Sequence, residues 1–214
     1  MERDSYIDSF LKEHFDGNDL KKPLFYNSRI AIRFEMGANV EEPEARAAQV
    51  KQRAVALYNA LNQPEDDVLV VLFMDKWMDE PVDALEQGVT EAFNTYIDQN
   101  HIGPLGKKEQ EYRYKEPDDS DDVMTIRYAV RVKSRYVKIA DLMEAIAKQT
   151  LGVEPTVDGD IYVLNTTNRT IFHLYDDRGL DIVAADREML RTIYEQYNGW
   201  ILDYDRDRID ATFN

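Results

Sequence analysis

The stretch TIFHLYDDRGLDIVAADREMLRTIYEQYNGWILDYDR, residues 170–206, decides the fold reading. Two short apolar runs, TIFHLY and LDIVA, flank the turn string DDRG, which is the pattern of an antiparallel hairpin. Asp at the turn accepts backbone hydrogen bonds, and Gly179 is expected to supply the positive φ that closes such a loop with a bulge. Asp186 then stands where a helix N-cap should, and Met189, Leu190, Ile193, Tyr194 and Tyr197 recur at helical spacing behind it. Asn198 and Gly199 are expected to end that helix in left-handed geometry and fold Trp200 back against Tyr194.

The same alternation between periods runs upstream. DIYVLNT (160–166) reads as a strand joined to TIFHLY by Thr-Asn-Arg. Before it, Ile139, Leu142, Met143, Ile146 and Ala147 form a helical stripe that Gly152 ends. VMTIRYAVRVK (123–133) alternates strictly, and EYRYK (111–115) is expected to pair with it across the acidic connector EPDDSDD, an exposed hairpin loop. The run VLVVLFM (68–74) has the unbroken apolarity of a central strand covered on both faces, and RIAIRFEMG (29–37) alternates as a half-buried strand.

Helices are expected from Asp4 or Ser5 to Gly17, from Pro43 to Pro64, and over 84–96. Gly103, Pro104 and Gly106 mark a loop. The sum is an α+β domain: a mixed or antiparallel sheet of about seven strands with four to five helices packed on it. The 214 residues suit one domain, 1–214. A strand–helix–strand echo (IAIRF, AVALYNAL, VLVVLF; then MTIRYAV, DLMEAIAK, IYVLNT) leaves open two similar halves, 1–106 and 107–214. Shared binary pattern alone produces such echoes.

Composition bounds the function. A formal net charge of −16 argues against a nucleic-acid or anionic-membrane binder and favours basic partners, although solubility alone also explains it. There is no cysteine, so disulfides, thiolate metal sites and Cys nucleophiles are excluded. The start MERDSYIDSF has no apolar run, and 68–74 is too short to cross a bilayer, so a cytoplasmic location is expected. No cofactor motif, phosphate loop, serine elbow or HExxH helix occurs.

Two groups of residues carry chemistry. Arg127, Arg131 and Lys133 share one face of their strand, Arg113 and Lys115 would join them, and Arg33 lies on the polar face of its own strand. That is either a docking face for an anionic ligand or a solvated face knitted by ion pairs. The second group is His173 with Asp176, Asp177, Arg178 and Asp181, in which a His–Asp pair could act as general base and orienter. A lone strand histidine is more often structural. The tail holds Trp200, Asp203, Asp205 and Arg206 as binding candidates; as a calcium loop it fails, because Arg208 stands where Gly belongs and Asn214 where Glu belongs. No metal site is expected.

The strings YDDRGLDIVA and LRTIYEQYNGWILDYDRDRID, with RIAIRFEMG and QRAVALYNAL upstream, resemble a bacterial family of uncharacterised proteins classed as a domain of unknown function. The resemblance covers most of the chain and implies a bacterial cytosolic α+β protein. It carries no activity, cofactor or catalytic residue. Three functions therefore compete: a protein-binding module for a basic partner, similar in class to immunity proteins; a ligand-sensing or scaffold domain using Arg33, Arg127 and Arg131; and an enzyme built on His173 and its acids. An exposed acidic patch with aromatics, such as Trp77, Asp79 and Glu80 or the Asp203 tail, would favour the first.

Overall fold

A computed structural model describes residues 2–116, 118 and 121–213. In chain order these residues form α1 (Glu2–His14), β1 (Ala31–Glu35), α2 (Pro43–Leu61), β2 (Asp67–Trp77), α3 (Val82–Tyr96), β3 (Gly106–Glu111) and β4 (Val123–Lys133). They continue as α4 (Ile139–Leu151), β5 (Asp160–Asn165), β6 (Thr170–Leu174), β7 (Gly179–Ala184), α5 (Glu188–Gln196) and α6 (Arg206–Phe213). The strands make one seven-stranded sheet in the order β1-β7-β6-β5-β2-β4-β3, antiparallel at every step. The α+β expectation holds.

The unbroken apolar run makes β2 the centre: it pairs with β4 along its whole length and with β5 over its first half. Strands from the two expected halves therefore interleave, since β2 lies between β4 and β5. Because β4 and β5 both run antiparallel to β2, they are parallel to each other, and α4 is the crossover that joins them. It ends at Gly152 in the left-handed region, φ 67°. Pro43 opens α2 as foreseen, with the Glu42 carboxylate accepting from the Glu44 and Ala45 amides.

Register sorts the side chains into two faces. Ile32, Ile182, Phe172, Val163, Val70 and Val130 stand in one cross-strand row, all buried. That face lies beneath α2 and α4, which pack on each other; the Tyr58 ring of α2 meets Phe172 edge-on at 5.5 Å. Each such fully buried aliphatic or aromatic side chain contributes roughly 1.5–3 kcal/mol. The opposite face carries Arg33, Asp181 and His173 in direct register, and it is buried as well. Its cover is α1 together with the irregular segment 15–30, which sends Leu20, Leu24 and Phe25 inward.

Several expectations are corrected. The partner of β4 is GKKEQE rather than EYRYK, because β3 is an edge strand of alternating exposure whose polar residues leave no apolar period. Tyr112–Lys115 instead forms a turn, closed by the Lys115 amide on the Tyr112 carbonyl. α1 starts at Glu2, so Asp4 and Ser5 lie inside its first turn instead of capping it. There are six helices among the described residues against four or five expected; α6 buries only Ile209 and Phe213, too sparse a stripe to read. Gly199 lies in a 3-10 turn (Asn198–Trp200) outside the left-handed region. Trp200 meets Tyr197 at 4.9 Å, while Tyr194 stacks on Phe213 at 4.6 Å. The acidic connector 116–122 lies partly outside the described residues.

Candidate functional site

The sheet face beneath α1 and segment 15–30 holds a layer of buried polar groups. Antiparallel register puts Arg33 of β1 directly opposite Asp181 of β7, and the guanidinium grips the carboxylate through two bonds of 2.7 and 2.8 Å. The Phe25 amide donates to the same carboxylate at 2.9 Å, tying the cover to the sheet. Phe25, Tyr26 and Tyr175 surround the guanidinium at 4.9–5.4 Å. Burial works against both charges. For Arg33 the bonds and charge of Asp181 outweigh it, so Arg33 stays a cation; for Asp181 burial prevails and its carboxyl titrates above the usual range.

His173 stands next in that row, opposite Asp181 and 1% exposed. Its ring stacks on Tyr162 at 3.9 Å, and neither ring nitrogen meets a protein hydrogen-bond partner. Burial, reinforced by Lys22, Arg113 and Arg33 and only partly opposed by Asp160, lowers its pKa to about 3. The imidazole is therefore neutral and sealed. Asp160 itself binds Lys22 and Arg113, each at 2.5 Å, and Arg113 lies over the Phe73 ring at 3.9 Å. Asp160, Tyr162 and Lys22 escaped the sequence reading; the hairpin register that puts Tyr162 beside His173 was the available signal.

Asp176, Asp177 and Arg178 are not brought to His173. They sit at the hairpin tip, where the Asp176 carboxylate accepts from the amides of Arg178 and Gly179 and from the Arg178 guanidinium. Asp177 turns toward the helical layer, accepting from Arg46 of α2 and, at 2.8 Å, from the Thr150 hydroxyl of α4. Arg178 points outward with 76% of its side chain exposed. The tip thus clamps sheet to helices, and among the described residues no hydrogen bond joins these side chains to the imidazole.

The glycine of this turn has a steric reason in place of the expected conformational one. Gly179 is not in the positive-φ region; a Cβ there would lie 1.8 Å from the Tyr175 hydroxyl. Gly179→Ala is expected to displace Tyr175 from beside Arg33 and destabilise the protein by about 1–3 kcal/mol, read as a fall in the thermal midpoint.

Of the two alternatives for the cationic residues, the ion-paired one describes their contacts. Arg127 and Arg113 are buried, and Arg127 donates to Asp8 of α1 at 2.7 Å alongside Lys108 at 2.6 Å. Arg131 and Lys133 share Asp67, at 3.2 and 3.1 Å. The paired acids come from α1 and the strand ends, which periodicity cannot foresee, and Arg131 stays half exposed. In the tail, Arg206 bonds Asp203, the Asn198 side chain and the Asn198 and Ile201 carbonyls, bracing the two 3-10 turns. Asp205 is buried and accepts from the Tyr26 hydroxyl at 2.7 Å; Trp200 lies under Arg53 at 5.3 Å. These residues join the tail to the cover and to α2.

Exposed apolar side chains occur in both acidic aromatic stretches: Tyr204 in the tail, and a cluster in sequence at the end of β2. Trp77 and Met78 are 56% and 62% exposed, and Val82 lies exposed four residues on. The Trp77 amide donates to the Glu80 carboxylate at 3.0 Å and the Met78 amide to the Asp122 carbonyl at 2.8 Å, which holds the turn in shape. Asp79, Glu80 and Asp83, all exposed, are neighbours of these apolar residues in the sequence.

The molecule is a single-sheet α+β protein, and no helix among the described residues is long and apolar enough to cross a membrane. Residues 7–205 match the family described as Domain of unknown function (DUF3885), and the chain belongs to it. It is similar to the Uncharacterized protein YnaE of Bacillus subtilis (strain 168), with 23% identity over 208 residues, covering 91% of this chain and 96% of that relative. No solved structure matches the chain.

Proposed function

We propose that this protein is a non-enzymatic binding module whose turn at 77–83 docks a basic protein partner, in the manner of immunity-type proteins. The observation that carries the reading is the exposed Trp77–Met78 pair, followed in sequence by exposed acids, on a chain of net charge −16. Exposed aromatic and methionine side chains are what interface cores recruit, and surrounding charge of one sign steers a partner of the other. The sealed state of His173 supports the non-enzymatic side of the reading, because a general base needs hydrogen-bond reach to a reacting proton.

The test is site-specific photo-crosslinking in cells of the source organism, with the probe at Met78 and a control probe at Met189, another exposed methionine on a different element. A basic protein captured at Met78, not at Met189, and released by salt is the expected result. With that partner purified, Trp77→Ser should weaken binding by about 30-fold or more, the effect of losing an aromatic hot spot. Equal capture at both positions, or affinity indifferent to Trp77→Ser, would sink the reading.

A further inference from the structure

We propose that the cavity between α1 and the inner end of β4 binds a small amphipathic monocarboxylate, its head on Arg131 and its apolar body over Leu69 and Ala129. The cavity arises from a mismatch in strand length. β3 accompanies β4 only from Gly106 opposite Ala129 to Glu111 opposite Met124, whereas β4 runs on to Lys133. Beyond that point the chain leaves through Gly103 and Pro104, and Tyr6 and Ile7 of α1 form a roof. The space is a half-open groove of about 430 Å³ with largely apolar walls, within the range of small-molecule sites. Ile7, Leu69, Pro104 and Ala129 are apolar members of the lining, and Ala129 stands opposite Gly106 in the ladder, two small residues facing each other.

The charge at its mouth selects the ligand. Among the described lining residues Asp67 is the acid and Arg131 the cation, and Asp67 also bonds Lys133 next to the site. Arg131 is half exposed and lies over the Tyr6 ring at 5.7 Å, with donors of its planar fork directed beyond its single bond to Asp67. A half-exposed guanidinium whose carboxylate partner is shared with a second cation, beside an apolar wall, matches a single anionic head carrying an apolar tail. Polyanions such as nucleotides are disfavoured by the field of a chain of net charge −16. The site is distinct from the docking turn: Asp67 and Trp77 are the two ends of β2.

Isothermal titration of the full chain with sodium octanoate tests the proposal, with 1-octanol as the uncharged counterpart. One saturable site is expected, at least about tenfold tighter for octanoate than for octanol, and weakened at least about tenfold by Arg131→Gln. Ala129→Leu, which fills the cavity and keeps the cation, should abolish binding; Arg131→Gln, a surface change, serves alone if that variant fails to fold. Trp77→Ser should bind octanoate as the parent does. No binding up to about 10 mM, equal affinity for octanol, or affinity unchanged in Arg131→Gln would each overturn the proposal.

Discussion

Arg33→Ala is expected to destabilise the protein by about 3–5 kcal/mol, the usual consequence of stripping one partner from a buried ion pair. Asp181 is 0% exposed, and without the guanidinium the donor left to it among the described residues is the Phe25 amide. Three connections fail together: the register of β1 on β7, the anchor of segment 15–30, and the ring cage of Phe25, Tyr26 and Tyr175. With a denaturant slope of roughly 2–3 kcal/mol/M, the urea midpoint should fall by about 1–2 M. The double variant Arg33→Met/Asp181→Leu should recover most of that loss, since a packed apolar pair of similar volume is often neutral or better. A single-variant loss under about 1 kcal/mol would mean that Asp181 is not held as a buried anion by Arg33.

Acid should act through His173. Its folded pKa is depressed from 6.5 to about 3, so between those values the unfolded chain binds a proton that the folded chain refuses. The stability tied to the neutral imidazole is complete above pH 6.5 and is lost as pH falls toward 3. At about 1.4 kcal/mol per pH unit, the loss at pH 4.5 is roughly 2.7 kcal/mol. The groups facing the ring are Lys22 on the cover, Arg33 on β1, Arg113 on the turn after β3, and Asp160 on β5. For Asp160 burial raises the pKa, but Lys22 and Arg113 outweigh it and hold the carboxyl below its ordinary value, so its own contribution fades only below about pH 4. His173→Phe, which keeps a ring on Tyr162, should flatten the stability profile between pH 6.5 and 4.5. Parallel profiles for parent and variant would show that the imidazole protonates within the folded state.

The elements legible in the sequence are those with an apolar period. β2, α4 and the β6–β7 hairpin bury long runs of Val, Ile, Leu and Phe, so pattern and burial coincide. β3 and α6 escaped because an edge strand of Lys, Glu and Gln and a helix with two buried residues carry no such stripe. The polar face failed for a different reason. Alternation tells which residues share a face, as Arg33, His173 and Arg127 do across their strands, but not what lies above them. Here the cover is partly a loop, and Leu20, Leu24 and Phe25 within it have no period to read. The acidic aromatic turn at Trp77 was legible from local composition, since a tryptophan and a methionine among Asp, Glu and Pro have no core face to join.

The pairing of β1 with β7 also sets a schedule for the nascent chain. Ala31 sits opposite Val183, so about 150 residues separate the two edges of that ladder. At roughly 5–20 residues per second, β1 waits on the order of 10–30 s after synthesis before its partner exists. Arg33 spends that interval without Asp181, and the apolar row through Ile32 spends it without Ile182. β2, β4 and β5 can assemble earlier around their shared centre, so the sheet grows outward and its N-terminal strand is among the last to be seated. Premature termination anywhere before residue 179 would leave β1 without its one ladder partner, so that backbone groups which β7 satisfies in the finished sheet would stay open to pairing with other chains.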